Sequence, residues 1–192
     1  MEKYLYLTRV EWISPWVDGG MVPLEKASKY KSIERNGTLT PDENLIDTSS
    51  HHLESMLGSM FDLQGGSIKM EGCRNQRGPL PDMFFHRRVE DGLVFCLANR
   101  RSNFIAKKLN KVACVKILDI EKLKACLDEQ IGIVSTMGQC SYTKSHERNH
   151  FVKSFLDSWQ DEFRLFWPNA ESTNVEIPKN TAIPIPIRGQ RY

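Results

Sequence analysis

The sequence has 192 residues, 40% of them hydrophobic and 26% charged, with a net charge of +2. These values fit a soluble globular chain of one-domain size, with residues 1–192 read as a single unit. No run reaches the roughly eighteen apolar residues of a membrane-spanning helix, and MEKYLYLTRVEW, with no long apolar core and no cleavage site, is not expected to act as a secretory leader. The expectation is a cytoplasmic protein without a membrane partner. Its five cysteines, Cys73, Cys96, Cys114, Cys126 and Cys140, form no CxxC pair and are expected to be reduced.

In chain order, Tyr4-Leu5-Tyr6-Leu7 opens a strand expected over residues 4–13. Ser14-Pro15 starts a short helix, with proline at the first helical position, and Gly19-Gly20 ends it. Residues 25–50 read as loop with short helices, broken by Asn36-Gly37 and Thr40-Pro41-Asp42. Leu53, Met56, Leu57, Met60 and Phe61 have helical spacing over 51–63. The Gly-, Pro- and Arg-rich stretch 71–82 reads as a loop. Leu93–Ala98 is a buried strand, followed by a helix over about 100–109 capped by Asn99. Lys111–Leu118 is the next strand, and Asp119 caps a helix over about 120–130. The spacing predicts another helix over 147–159. Phe151, Phe155, Leu156 and Trp159 would face inward and His146, His150, Lys153 and Asp157 outward. Residues 160–167 read as a strand. The tail, about 175–192, alternates Ile with Pro, and Pro184 and Pro186 confine it to an edge strand or an extended arm. Strands and helices mix without regular alternation, which predicts an α+β fold.

Charge is uneven along the chain. Ten basic residues against three acidic ones lie between Arg74 and Lys116, a local +7 that can attract phosphates or be a solvated face.

Two motifs carry candidate chemistry. His146-Glu147-Arg148-Asn149-His150 matches HExxH, in which histidines four apart on a helix grip Zn²⁺ and the glutamate activates water. The surrounding Lys144, Ser145, Arg148 and Asn149 are polar and no glycine follows at 153, so a zinc metallopeptidase using His146 and His150 is the competing reading. The second motif is Gln160-Asp161-Glu162-Phe163-Arg164-Leu165. On a strand Gln160, Glu162 and Arg164 share one face, while Phe163 and Leu165 anchor the other. An open face there predicts that Glu162→Gln leaves the fold intact.

Gln160-Asp161-Glu162 resembles the Q/E-x-E signature of mono-ADP-ribosyltransferases. Residues 5–23, LYLTRVEWISPWVDGGMVP, resemble the opening of DarT-like transferases, with Tyr6 where that family has histidine, Thr8 on its threonine and Gly20 on its glycine turn. Leu93–Leu118 resembles the family's middle, with Asn99, Arg100 and Ser102 at the turn. Together the three pieces span about half the chain.

The resemblance implies a split β-sandwich with flanking helices and NAD as substrate. It assigns Glu162 and Gln160 to catalysis and Tyr6, Thr8, Arg9, Asn99 and Ser102 to NAD. Arg35, Arg87, Arg88, Arg100 and Arg101 fall on the acceptor side, with no metal required. It further implies a toxin modifying nucleic acid, RNA ahead of DNA, and held by an antitoxin protein. In this the chain resembles DarT-like toxins and the CmdT-type transferases of phage-defence toxin–antitoxin–chaperone systems. An NAD glycohydrolase of the same fold and a non-catalytic binding module stay open beside the zinc metallopeptidase.

Overall fold

The structure is a computed structural model that describes residues 2–29, 67–70, 72, 74–76, 78–79, 83–86, 91–144 and 149–189. The expected 51–63 helix and most of the 25–50 segment lie outside these residues. In chain order the strands begin with β1 (Lys3–Leu7) and β2 (Gly20–Lys26). The short strands β3 (Ser67–Met70), β4 (Arg74–Asn75), β5 (Gly78–Pro79) and β6 (Met83–His86) follow. Then come β7 (Gly92–Ala98), β8 (Ala113–Ile117), β9 (Thr136–Gln139), β10 (Ser141–Thr143) and β11 (Val152–Ser154). The last are β12 (Glu162–Pro168), β13 (Thr173–Ile177) and β14 (Ala182–Pro184). The helices used below are α1 (Ser14–Val17), α2 (Asn103–Lys108) and α3 (Ile120–Ile131). The result is a mixed fold dominated by antiparallel strands, in line with the α+β expectation.

One sheet of eight strands organises the described residues. Along β7, the strand β12 pairs at every position from Gly92↔Pro168 to Ala98↔Glu162. That occupies one whole edge of β7, so β1 and β2 must share the other. They do so at opposite ends: β1 meets β7 at Tyr4↔Ala98, and β2 meets it at Val94↔Glu25 and Leu93↔Lys26. Between them β1 and β2 part. The sheet is split opposite the middle of β7, and β1 continues outward through β8 to β14 while β2 continues to β13.

Cross-strand partners point to the same face. Leu97, Phe95 and Leu93 therefore side with Phe163, Leu165 and Trp167, and these join Leu123 and Leu127 of α3 in the main core. Asp119 caps α3 by accepting from Glu121 N–H and Lys122 N–H, and Gly132 stops it in the left-handed region at φ 75°. The indole of Trp167 donates to Asp128 at 2.7 Å, tying α3 to β12. The other face carries Tyr6, Ala98 and Cys114 under Ile105 and Ala106 of α2.

Three expectations change. The first strand stops at Leu7, and Val10–Ile13 is a 3₁₀ turn leading into α1. The cap of α2 is Ser102, whose hydroxyl accepts from Ile105 N–H at 3.3 Å, not Asn99. The helix expected over 147–159 is not formed in its described part. Val152–Ser154 pairs in parallel with Ser141–Thr143, and Phe155–Gln160 is 3₁₀. The faces invert as a result: Lys153 and Asp157 are buried, whereas Phe155 and Leu156 are exposed. Strand pairing with β10, a strand without a clear sequence signal, overrides the helical spacing of the aromatics. In the tail an edge strand forms, with Pro184 at the sheet edge in β14.

Candidate functional site

The site starts from a turn. The 3₁₀ segment ends at Asp161, which sits in the left-handed region at φ 48°, ψ 57°. A non-glycine residue there costs about 1–2 kcal/mol, and neighbours hold it. The backbone N–H of Asn99 donates to Asp161 O at 2.8 Å, and the Asn99 carboxamide donates to Asp161 O at 3.2 Å and to its Oδ1 at 3.0 Å. Arg100 Nε lies 3.4 Å from Asp161 Oδ2. Lys3, fully buried, donates to Asn99 Oδ1 and stands 3.9 Å over the ring of Phe163. The turn delivers Gln160 from the 3₁₀ segment and Glu162 from β12 to one polar cluster.

In that cluster the Lys153 ammonium donates to Gln160 Oε1 at 2.6 Å and to Glu162 Oε2 at 2.8 Å. Arg164 Nη2 lies 2.9 Å from the same carboxylate oxygen, and its Nη1 donates to His150 O at 3.0 Å. Gln160 Nε2 donates to Asp157 Oδ1 at 3.3 Å. Tyr142 OH accepts from the Glu162 backbone N–H at 2.8 Å. Burial pushes the Glu162 carboxyl up, but the charges of Arg164 and Lys153 outweigh it and hold the pKa down to about 2. Glu162 is thus a carboxylate throughout the neutral range, held by two cations. Burial pushes the Tyr142 phenol up to about 12, so it stays protonated.

A cleft of about 450 Å³ opens where the sheet splits. It is lined by β1, α1, β2 and β7, and on its polar side by Lys153, Gln160, Glu162 and Arg164. That volume falls within the roughly 300–1,000 Å³ of small-molecule sites. The apolar side carries Trp12, Trp16, Met21 and Phe95, with Trp16 stacked on Phe95 at 5.4 Å. Lys111 also lines it, and burial lowers its ammonium pKa.

The structure brings five of the expected residues to this cleft: Tyr6, Thr8, Gln160 and Glu162, and His150 of the competing zinc reading. The Tyr6 hydroxyl accepts from Ser102 N–H at 2.6 Å and donates to Arg100 O at 3.0 Å, so its polar end holds the 99–102 turn. Asn99 and Ser102 likewise serve the turn and the α2 cap. Arg9 is exposed and pairs with Glu11 at 3.8 Å. Arg101 donates to Pro186 O at 2.7 Å, and Arg100 pairs with Asp161. Arg35, Arg87, Arg88 and His146 lie outside the described residues. His150 is not on a helix; its ring stacks on Phe166 at 3.8 Å. Among the described residues no group of three or more His, Cys, Asp or Glu is arranged to hold a metal.

Two corrections concern orientation. Glu162 is buried rather than on an open face, and it neutralises two buried cations. Its replacement by Gln therefore bears on stability as well as chemistry. Helical spacing points Lys153 outward, yet it is the centre of the cluster. No local sequence pattern marks it, because β11 buries the consecutive Lys153 and Ser154 rather than alternate residues. Trp12, Lys111 and Tyr142 have no such signal either. No helix among the described residues is long and apolar enough to cross a membrane. Comparison of the chain with protein-family models, with curated proteins and with solved structures finds no match.

Proposed function

We propose that the chain is an NAD-dependent mono-ADP-ribosyltransferase built on a split β-sandwich, with Glu162 as its catalytic carboxylate. One observation carries this reading: a carboxylate held ionised on the central strand β12 faces a cleft created by the parting of β1 and β2. The apolar side of the cleft suits the flat rings of a dinucleotide, and Lys111 on its wall suits the pyrophosphate. In the reaction, the bond between the ribose C1′ and the nicotinamide nitrogen breaks and neutral nicotinamide leaves with the electron pair. Positive charge then develops on the ribose, which a fixed carboxylate stabilises. A nucleophile on the acceptor bonds to C1′ and releases its proton to solvent. Gln160, held beside Glu162 by Lys153, would orient that nucleophile.

The acceptor in this reading is nucleic acid, RNA ahead of DNA, in support of which stand exposed cations near the turn: Arg100, Arg101 and Lys107. A toxin of this kind working in the cytoplasm implies a neutralising antitoxin protein as partner. A glycohydrolase would use the same carboxylate with water as acceptor. Incubation with NAD labelled in its adenylate half, with separate RNA, DNA and protein pools, tests the reading. Label on nucleic acid supports it, free labelled ADP-ribose alone assigns the glycohydrolase, and label on protein alone removes the nucleic-acid acceptor.

A further inference from the structure

Outside the cleft, α2 and the 3₁₀ segment Phe155–Gln160 build a ridge that the proposed NAD site does not use. Phe104 of α2 is 57% exposed, and Phe155 and Leu156 are 52% and 76% exposed. Large apolar side chains at such exposure on neighbouring elements form a patch that asks for an occupant. The rings are ordered against one another: Phe104 and Trp159 meet edge to face at 6.0 Å. In a 3₁₀ segment residues three apart eclipse, so Leu156 stands in line with Trp159.

Cations are interleaved with these rings. Lys108 Nζ lies 4.0 Å over the Trp159 ring and 5.8 Å from Phe104, and Lys144 lies 5.3 Å over Phe155. Arg100 donates to Trp159 O at 3.4 Å, and Lys107 is exposed on α2. Residues 100–110 contain no Asp or Glu, Asp157 is buried, and Asp161 pairs with Arg100. The ridge is therefore aromatic and positive at once, which is the chemistry of a stacking platform for a strand with free bases and a phosphate backbone.

We infer that the Phe104–Trp159 pair with Lys108, and Phe155 with Lys144 a third of a turn around the same 3₁₀ segment, bind single-stranded nucleic acid by stacking its bases and pairing its phosphates. Duplex fits the ridge less well, because paired bases do not offer their faces to exposed rings. The ridge adjoins the cleft: Trp159 packs on the cluster of Tyr6, Ala98 and Ile105, and Gln160 follows it directly into the polar cluster. A strand laid on the ridge would present a base at the Glu162 end of the cleft. This deepens the transferase reading by naming how its acceptor is held, and it rests on that reading only for what is then done to the strand.

The test is fluorescence anisotropy with a fluorescein-labelled mixed-sequence strand about 16 nucleotides long, as RNA, as DNA and as the matching duplex. Anionic vesicles of phosphatidylglycerol and phosphatidylcholine form a further arm. The expected result is binding of single strands in preference to duplex, weakening steeply as salt rises. Phe104→Ala, Phe155→Ala and Lys108→Ala should each weaken it about tenfold. All three sites lie on the protein surface, and unchanged thermal unfolding checks that the variants are folded. Val134→Ser, at another exposed apolar residue, should bind as the wild type does. No strand binding, equal binding of duplex, binding indifferent to the ridge variants, or ridge-dependent binding of vesicles alone would each overturn the inference. Nicotinamide release, measured without any strand, keeps the two proposals apart. Ridge-dependent strand binding by a chain that does not cleave NAD would leave this inference standing and remove the transferase. Cleavage of NAD without strand binding would do the reverse.

Discussion

Lys153 and Glu162 meet at 2.8 Å at the polar end of the cleft, with only 2% and 12% of their side chains exposed. Removing one partner of a buried ion pair leaves the other charge uncompensated, at a cost of about 3–5 kcal/mol. Arg164 shares the carboxylate, so Lys153→Met is expected toward the lower end of that range. Chemical denaturation of the variant and the wild type measures it. The same variant loosens Gln160 and should lower kcat more than it raises the KM for NAD, because Lys153 positions both members of the signature.

The pKa of Glu162 is about 2, below its ordinary 4.5. A depressed carboxyl contributes stability that is fully present above the unfolded value and is lost as pH falls through the folded one. The contribution is on the order of 3 kcal/mol, and it should fade between about pH 4.5 and about pH 2. Unfolding free energies measured across this window should fall with a steeper slope in the wild type than in Glu162→Gln, which has no proton to take up. Equal slopes would contradict the ion-paired state of Glu162.

Asn99 sets the direction of the turn that carries Glu162, donating to both the carbonyl and the carboxylate of Asp161. Asn99→Ala removes both carboxamide bonds to Asp161 and the side-chain acceptor of buried Lys3, leaving the turn to the backbone N–H of residue 99 and to Arg100, at an expected cost of about 1–3 kcal/mol. Its effect on NAD turnover should appear in kcat with little change in KM, since Asn99 acts through the turn. A change in KM alone would instead make it a direct NAD contact.

Gly92 begins β7 directly against β12. A Cβ there would meet Trp167 O at 2.1 Å, and neither backbone can yield without parting two paired strands. Gly92→Ala is expected to cost about 3 kcal/mol or more, read as a fall in the thermal midpoint or as loss of soluble protein.

How far the sequence spoke depended on which force decided each element. Where apolar runs and caps agree, as in Leu93–Ala98 and in α3 behind Asp119, the elements stand within one or two residues of expectation. The alternation in 162–165 is readable for the same reason: Phe163 and Leu165 enter the core and Glu162 and Arg164 the cleft face. The segment 149–159 misleads because its aromatics repeat at helical spacing, while its backbone is claimed by β10, which lies before it in the chain. That pattern hides Lys153 and points His150 toward the wrong face. The split of the sheet, which makes the cleft, depends on long-range register between β1, β2 and β7, and no local pattern encodes it.

Nicotinamide release from NAD, compared between the wild type and folded Glu162→Gln, decides whether Glu162 is the catalytic carboxylate. Because Glu162 neutralises Lys153 and Arg164, the variant is expected to be less stable, and near-ultraviolet circular dichroism must first show it folded at the assay temperature. The wild type is expected to release nicotinamide, and the variant to do so roughly 10²–10³ times more slowly. A wild-type chain that releases no nicotinamide with RNA, DNA, protein or water as acceptor would remove the transferase, and a folded Glu162→Gln that releases it at the wild-type rate would remove Glu162 as its catalytic carboxylate.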